Sequence, residues 1–190
     1  MNEKEKRSLT NIEVRAEPEG EKKRIVGYAV KWGQRSVPIW GMFAEQFERG
    51  AFAESINDDI YAAWNHNPSE ILGRNTAGTL KLQEDEVGLR YEITPPSWAD
   101  KYVESIERGD VRGSSFIFRA EVDEWDETEE MAVRTVKKAK LFEVSPVTTP
   151  AYPTSETGIR SAEAVFNEFK QKKVNTDNSF EKELELMEMF

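Results

Sequence analysis

Three short segments of this chain carry side chains that together could hydrolyse a peptide or ester bond. His66 is the only histidine and lies in WNHNPSEILGR, Ser115 lies in RGSSFIF, and Glu143 lies in LFEVSPVTTPAY. Serine hydrolases use a serine as nucleophile, a histidine as its general base and a carboxylate that orients the histidine. Histidine is also the side chain whose ordinary pKa suits proton transfer near neutral pH. The chain therefore has one candidate base for a serine hydrolase hypothesis.

Ser115 has an ordinary structural interpretation beside the catalytic one. Gly113 allows the backbone before it to turn sharply, and amide groups freed at such a turn could stabilise an oxyanion. The G-x-S-x-G motif of α/β-hydrolases is absent, because Phe116 and Ile117 follow the serine. Serines beside a glycine are common at turns, so a turn or capping role remains an alternative to a nucleophile.

The histidine and the carboxylate also have alternatives. A lone histidine such as His66 can be a surface or loop residue, and alternation along LFEVS allows Glu143 to face solvent. If Glu143 faces inward it needs a partner, and His66 would be one. Asp110 and Asp58 are the alternative carboxylates for the same role.

Composition excludes several other chemistries. The chain has 190 residues and no cysteine, which excludes disulfides, thiolate catalysis and cysteine-ligated zinc. With one histidine there is no multi-histidine metal site; an all-carboxylate site for a hard cation remains an alternative but has no motif, so we expect no metal and no cofactor. The net charge of -10 argues against nucleic acid as a direct partner. No apolar run approaches the ~20 residues of a membrane span, and the first residues lack a secretory signal, so we expect a cytoplasmic protein without membrane contact.

Hydrophobic alternation predicts strands around all three candidate residues. KRIVGYAVKW is typical of a strand, and DIYAAW is an apolar strand that ends directly before Asn65 and His66. TLKLQ and LRYEIT flank EDEVG as a hairpin, and SSFIFRAEV (114–122) is a strand with Ser115 and Phe116 on opposite faces. DEWDETEE is predicted to be a solvated loop, and MAVRTVKKAKLFEVSPVT to be two strands or one long bent strand.

The remaining elements complete the predicted architecture. Helical spacing predicts helices over about 98–108 and over 161–171, and the charged residues 1–8 are expected to be frayed. SLTNIEVRAE is predicted to be the first strand. We place a domain over residues 1–158 and a tail over 159–190, made of an amphipathic helix and a linker. Strands dominate the domain, so we expect a mainly β fold with a few helices (α+β), arranged as a closed or strongly curved antiparallel β-barrel.

Six segments, in order, resemble the prohead protease family of tailed bacteriophages, which are capsid-maturation serine proteases similar in fold to herpesvirus assemblin proteases. The segments are IVGYAVKW, GMFAEQFERGAF, WNHNPSEILGR, LRYEITPP, RGDVRGSSFIF and LFEVSPVTTPAYP. The resemblance covers roughly residues 10–155. It implies an assemblin-like barrel and a serine endopeptidase that cleaves scaffold, or the scaffold-like extension of the capsid protein, and itself.

The resemblance also implies roles for individual residues. His66 corresponds to the family's histidine, Ser115 to its nucleophile with Ser114 as the alternative, and Glu143 to the acidic member. Backbone amides near 113–116 would form the oxyanion hole, and the near-site candidates are Gly113, Ser114, Phe116 and Arg112. Position 117 departs from the expected pattern, because Ile117 stands where the family pattern has a glycine.

The expected setting follows from the same resemblance. The protein partners would be the major capsid protein and the scaffold, met in the host cytoplasm inside the assembling procapsid. A homodimer or higher oligomer is expected from the assemblin comparison, and the tail over 159–190 could be self-cleaved or bind scaffold. The competing hypothesis is a catalytically inactive module of the same fold that binds scaffold or capsid protein during assembly.

Overall fold

The computed structural model describes residues 4–9, 14–19, 22–128, 130–148 and 161–175. Within these ranges ten strands form two sheets. The strands are β1 (Glu5–Leu9), β2 (Arg15–Glu19), β3 (Lys22–Lys31), β4 (Ala44–Phe47), β5 (Tyr61–Trp64), β6 (Asn67–Arg74), β7 (Leu80–Glu84), β8 (Gly88–Ile93), β9 (Gly113–Asp126) and β10 (Val133–Val147). The helices are α1 (Asp100–Glu107), which follows a 3₁₀ turn at Ser97–Ala99, and α2 (161–175).

The larger sheet is built on the long strand β10. One edge of β10 pairs antiparallel with β9, and the other edge pairs in parallel first with β4 and then with β5. Strand β1 lies outside β9 and β6 lies outside β5, which gives the order β1–β9–β10–β5–β6. Register shifts between Val136 and Ala139 and between Leu141 and Glu143 mark irregularities that bend a strand. One long irregular strand, rather than two, therefore connects the β4 end of the sheet to the β5 end.

The smaller sheet has the order β2–β3–β8–β7 and packs its apolar face against the larger one. The predicted hairpin is confirmed as β7 and β8, which pair antiparallel. Tyr91 on β8 is fully buried, and a Cβ atom added to Gly27 on β3 would lie 2.5 Å from its hydroxyl oxygen. The glycine thus lets the tyrosine ring lie against the neighbouring strand. The same core contains four phenylalanines in mutual ring contact: Phe47, Phe52, Phe116 and Phe118.

The expected closed or strongly curved antiparallel barrel is wrong. The described strands fall into two sheets, and neither sheet is closed or strongly curled. The larger sheet is also mixed rather than antiparallel, because β10 pairs in parallel with β4 and β5. Alternating patterns identify strands but not their partners, and the partners here are far apart in the sequence. The chain is mostly β with two helices, an α+β arrangement.

Two charged segments form strands, contrary to prediction. Residues 1–8 were expected to be frayed, yet Glu5–Leu9 pairs with β9. SLTNIEVRAE is not a single strand, because β1 and β2 belong to different sheets, and residues 10–13 lie outside the described residues. DEWDETEE is only partly a loop, because β9 continues to Asp126. Ion pairs with distant residues stabilise such segments, and local charge does not reveal those pairs.

Both predicted helices are present. The helix expected over 98–108 is confirmed as the 3₁₀ turn and α1, and the one expected over 161–171 extends to residue 175. Helix α2 packs Phe166 and Phe169 against Trp125 of β9, with ring centroids 5.9 and 4.3 Å apart. The boundary near 158 and the tail beyond 175 lie outside the described residues. Neither described helix is long and apolar enough to cross a membrane.

Candidate active site

A two-residue turn between β5 and β6 carries the histidine. Asn65 and His66 have φ angles of 50° and 60°, a left-handed pair that is characteristic of the tightest hairpin turns. The amide of Asn65 donates to the carbonyl of Pro146 at 3.1 Å, and its side-chain oxygen accepts from the amide of Thr148 at 2.9 Å. These bonds fix the turn against the end of β10. The predicted position of His66 at the end of an apolar strand is confirmed.

Helix α1 supports the hairpin that presents this turn. Tyr102 stacks on Trp64, the last residue of β5, with ring centroids 4.1 Å apart and an interplanar angle of 14°. The Tyr102 hydroxyl donates a hydrogen bond to Glu70 of β6. Stacked aromatic pairs contribute about 0.5–1.5 kcal/mol beyond the area that they bury. One helical residue therefore contacts both strands of the hairpin beside His66.

The three candidate residues form one hydrogen-bonded chain. His66 Nδ1 donates to Glu143 Oε1 at 2.8 Å, and His66 Nε2 lies 2.6 Å from Ser115 Oγ. The side chain of His66 is 8% exposed, and Glu143 and Ser115 are 1% and 0% exposed. Electrostatic interactions are stronger at buried positions than in water. A carboxylate, an imidazole and a hydroxyl in this order can deprotonate the hydroxyl as it attacks an electrophile.

Two further side chains hold the Glu143 carboxylate, and neither was anticipated from the sequence. Ser145, two residues along β10 on the same face, donates to Glu143 Oε1 and accepts a 3.1 Å bond from the amide of His66. Tyr61 of β5 lies with its hydroxyl 3.5 Å from Glu143 Oε2. Burial raises the pKa of Tyr61, and the charge of Glu143 raises it further, so the phenol remains a proton donor. Alternation along EVS could have indicated Ser145, since residues i and i+2 share a face.

Strand β1 covers Ser115. The Ser115 hydroxyl lies 2.7 Å from the carbonyl oxygen of Arg7, and the Ser8 hydroxyl donates to Ser115 Oγ at 2.8 Å. Ser8 and Ser115 are directly paired residues on the two antiparallel strands. Sequence reasoning missed both Arg7 and Ser8, because it assigned them to a frayed segment.

The other near-site candidates have different partners. Ser114 donates to the Tyr91 hydroxyl at 3.1 Å, on the core face of β9, whereas Ser115 points to the opposite face. The Arg112 side chain donates from Nε to the carbonyl of Gly109 at 2.9 Å, beyond the end of α1. The remaining two candidates, Gly113 and Phe116, are buried in β9 on either side of the two serines. Residues 114–116 are paired with β1 on one side and with β10 on the other.

The two alternative carboxylates lie in other ion pairs. Asp58 lies 3.1 Å from the ammonium group of Lys140, and Asp110 lies 3.2 Å from Nε of Arg108. Both pairs are partly exposed, unlike the buried contact between Glu143 and His66. The structure brings Glu143, rather than either aspartate, to the histidine.

A sequence model of the caudovirus prohead serine protease family matches residues 10–171. The match covers most of the chain. The chain belongs to this family. The resemblance inferred from the six segments is thereby confirmed, and the family is that of the serine proteases of caudovirus proheads. No curated protein and no solved structure gives a significant match.

The matched residues include the three candidate catalytic residues but not the strand that covers Ser115. His66, Ser115 and Glu143 lie inside the matched range, as does the first part of helix α2. Strand β1, which covers Ser115, ends at Leu9 and therefore precedes the matched residues. The strand that covers the serine thus lies outside the matched residues.

Proposed function

We propose that this protein is a serine endopeptidase that cleaves scaffold, or the scaffold-like extension of the major capsid protein, and itself during capsid maturation. It would act inside the assembling procapsid in the host cell. The observation that carries this proposal is the continuous hydrogen-bonded chain from Glu143 through His66 to Ser115. Membership of the prohead serine protease family supports the capsid as the setting.

The chemistry assigns one step to each side chain. Ser115 Oγ attacks the scissile carbonyl carbon while its proton passes to His66 Nε2, and Glu143 stabilises the resulting imidazolium through Nδ1. The tetrahedral intermediate collapses by breaking the C–N bond, and His66 returns the proton to the departing amine. Water then hydrolyses the Ser115 ester, again with His66 as base. Residues 114–116 are paired with both neighbouring strands here, so backbone amides of residues 113–116 would become available to hold the oxyanion only after β1 is displaced.

The geometry favours Ser115 over Ser114 as the nucleophile. Neighbouring residues on a strand point to opposite faces, so only one of the two serines can face His66. Ser115 lies 2.6 Å from the imidazole, whereas Ser114 bonds to the buried phenol of Tyr91. Burial raises the pKa of Tyr91, so this phenol is not a base for Ser114 at neutral pH.

The inactive assembly module remains a second candidate because one observation favours it. Ser115 is 0% exposed and is covered by β1, so a substrate carbonyl has no access to it in this conformation. A module that only binds scaffold would not need that access. The two candidates differ in whether capsid or scaffold protein is cut.

Co-expression with the capsid and scaffold proteins distinguishes the two functions. We expect the unaltered chain to yield shortened capsid or scaffold protein, and both Ser115→Ala and His66→Ala to abolish the shortening. Ser69→Ala, at an exposed serine of β6, is the matched control and should cleave normally. Cleavage by Ser115→Ala at the normal rate would show that the mechanism is wrong. Absence of cleavage by every variant, despite correct assembly, would favour the binding module.

A further inference from the structure

Strand β1 has the geometry of a bound substrate. It lies antiparallel along the edge of β9 with Ser8 opposite Ser115 and Arg7 opposite Phe116. Peptide recognition by strand addition uses the same geometry, with backbone hydrogen bonds for affinity and side-chain pockets for specificity. The peptide bond that joins Arg7 to Ser8 is the part of β1 that lies against the Ser115 hydroxyl.

The hydrogen bonds of the Ser115 hydroxyl indicate that the site is in an inactive state while β1 is bound. A serine hydroxyl has one hydrogen to donate, and here two acceptors compete for it. The carbonyl oxygen of Arg7 lies 2.7 Å away, and His66 Nε2 lies 2.6 Å away. While Ser115 donates to Arg7 it cannot also donate to His66. Strand β1 therefore competes with the general base for the proton that catalysis has to move.

The Arg7 side chain occupies a buried acidic pocket on the opposite face of the sheet. Its Nε donates to Glu45 Oε1 at 2.7 Å, and one of its Nη atoms donates to Glu5 Oε2 at 2.6 Å. Glu45 is only 2% exposed, and it also accepts a 2.9 Å bond from Arg134. Paired contacts of this kind match the planar fork of an arginine.

The charged side chains around Arg7 show how the pocket would change if β1 left it. The strand contributes Glu5 and Arg7, whose charges cancel. Among the described ion pairs, the protein behind it contributes Glu45 and Asp123, which both pair with Arg134. Departure of β1 leaves the net charge of the pocket unchanged, but it takes away Arg7, one of the two guanidinium partners of the buried Glu45 carboxylate. An incoming strand with an arginine or a lysine at the position of Arg7 would give Glu45 a second cationic partner again.

We infer that β1 occupies the place of the substrate strand, and that Glu45 selects a basic residue immediately before the scissile bond. This inference rests on the proposed function. The substrate class is an extended peptide segment in which arginine or lysine precedes a small residue, as in the Arg7–Ser8 pair. A substrate has to displace β1, so the strand also restrains the enzyme until a substrate segment is present at high local concentration.

The test uses two quenched fluorescent peptides that differ at one position. One carries Lys-Glu-Lys-Arg-Ser-Leu, the sequence of residues 4–9, and the other has glutamine in place of arginine. We expect full-length protein to cleave the arginine peptide with a kcat/KM about a hundredfold higher, as for loss of one partner from a buried charged pair. Glu45→Gln should reduce that ratio to below about tenfold. The ratio does not depend on the fraction of folded enzyme, so partial misfolding does not affect it.

Displacement of β1 is tested separately with Arg7→Gln in the full-length chain. We expect kcat/KM to rise about tenfold for both peptides, because the anchored competitor is weakened while the Glu45 pocket remains. Arg15→Gln, an exposed arginine of β2 that pairs only with Glu17 among the described ion pairs, is the matched control and should not accelerate cleavage. Equal rates for the two peptides, or no acceleration by Arg7→Gln, overturn the inference.

A binding measurement separates failure of this inference from failure of the proposed function. The double variant Arg7→Gln, Ser115→Ala needs no catalysis, and we expect it to bind the arginine peptide at least about tenfold more tightly than the glutamine peptide. Equal or undetectable binding overturns the inference even if the capsid protein is cut. Selective binding without any cleavage by the unaltered chain supports the strand site and counts against the protease function.

Discussion

Glu143 is held more tightly than an orienting carboxylate strictly requires. One oxygen accepts from both His66 and Ser145, and the other lies 3.5 Å from the Tyr61 hydroxyl. Ser145 additionally accepts from the amide of His66, so it links the carboxylate to the backbone of the residue that the carboxylate orients. This closed set of bonds fixes the direction of the imidazole, which in turn fixes which nitrogen faces Ser115. Orientation of the imidazole is the contribution we assign to Ser145 and Tyr61.

Replacing the carboxylate by an amide tests the role of Glu143 at constant size. We expect Glu143→Gln to lower kcat on the order of 10³–10⁴-fold with little change in KM, because the amide can favour the wrong tautomer of His66. Asp110→Asn, at the exposed alternative carboxylate, is the control and should keep normal kcat. Steady-state kinetics on the arginine peptide would measure both. Loss of activity in Asp110→Asn with retention in Glu143→Gln would reverse the assignment.

At the scale of strands and helices, the sequence correctly predicted the features that local residue patterns determine. Alternation correctly separated the two faces of β9, with Phe116 in the core and Ser115 on the other side, and it placed His66 at the end of β5. It failed for β1, whose charges resemble those of a solvated tail. The partners that bury those charges are 38 residues away at Glu45 and more than a hundred residues away at Arg134. Pairing between strands that are far apart in the sequence also decides how many sheets form. The barrel prediction failed because local patterns do not show that pairing.

Helix α2 is attached to the larger sheet by aromatic contacts that can be weakened one at a time. Phe166 lies 5.7 Å from Phe43 and 5.9 Å from Trp125, measured between ring centroids. Because Phe166 is only partly buried, we expect Phe166→Ala to lower the free energy of unfolding by about 1–3 kcal/mol. Val174→Ala, at an exposed position of the same helix, should change it by less than about 0.5 kcal/mol. Urea denaturation measures both variants, and equal effects would contradict the packing role.

The whole molecule carries a net charge of -10. Several of its buried charges lie in ion pairs that contact strand β1. Glu5, Arg7, Glu45, Arg134 and Asp123 form a continuous network that ties β1 to β4, β9 and β10. Breaking a buried network costs far more than breaking surface pairs, because a charge is left without a partner away from water. The attachment of β1, and with it the access to Ser115, should therefore depend on the protonation of this network.

Acid titration of the full-length chain tests that dependence. Burial opposes ionisation of Glu5, but Arg7 and Arg134 together lower its pKa below the ordinary value of 4.5. A carboxyl group whose pKa is lower in the folded state contributes stability that is complete above about pH 4.5 and is lost as the pH falls through the folded value. Acid also removes the negative net charge as the pH approaches the isoelectric point of about 4.9, but below that pH the chain becomes positively charged and self-repulsion again opposes folding. The contribution of the network is therefore read from the difference in acid dependence between the unaltered chain and a variant that lacks the Glu5 carboxylate. We expect Glu5→Gln to lower the midpoint at pH 7 and to flatten this acid dependence, and the exposed Glu86→Gln to keep the normal profile. An unchanged acid profile in Glu5→Gln would show that the network does not control the attachment of β1.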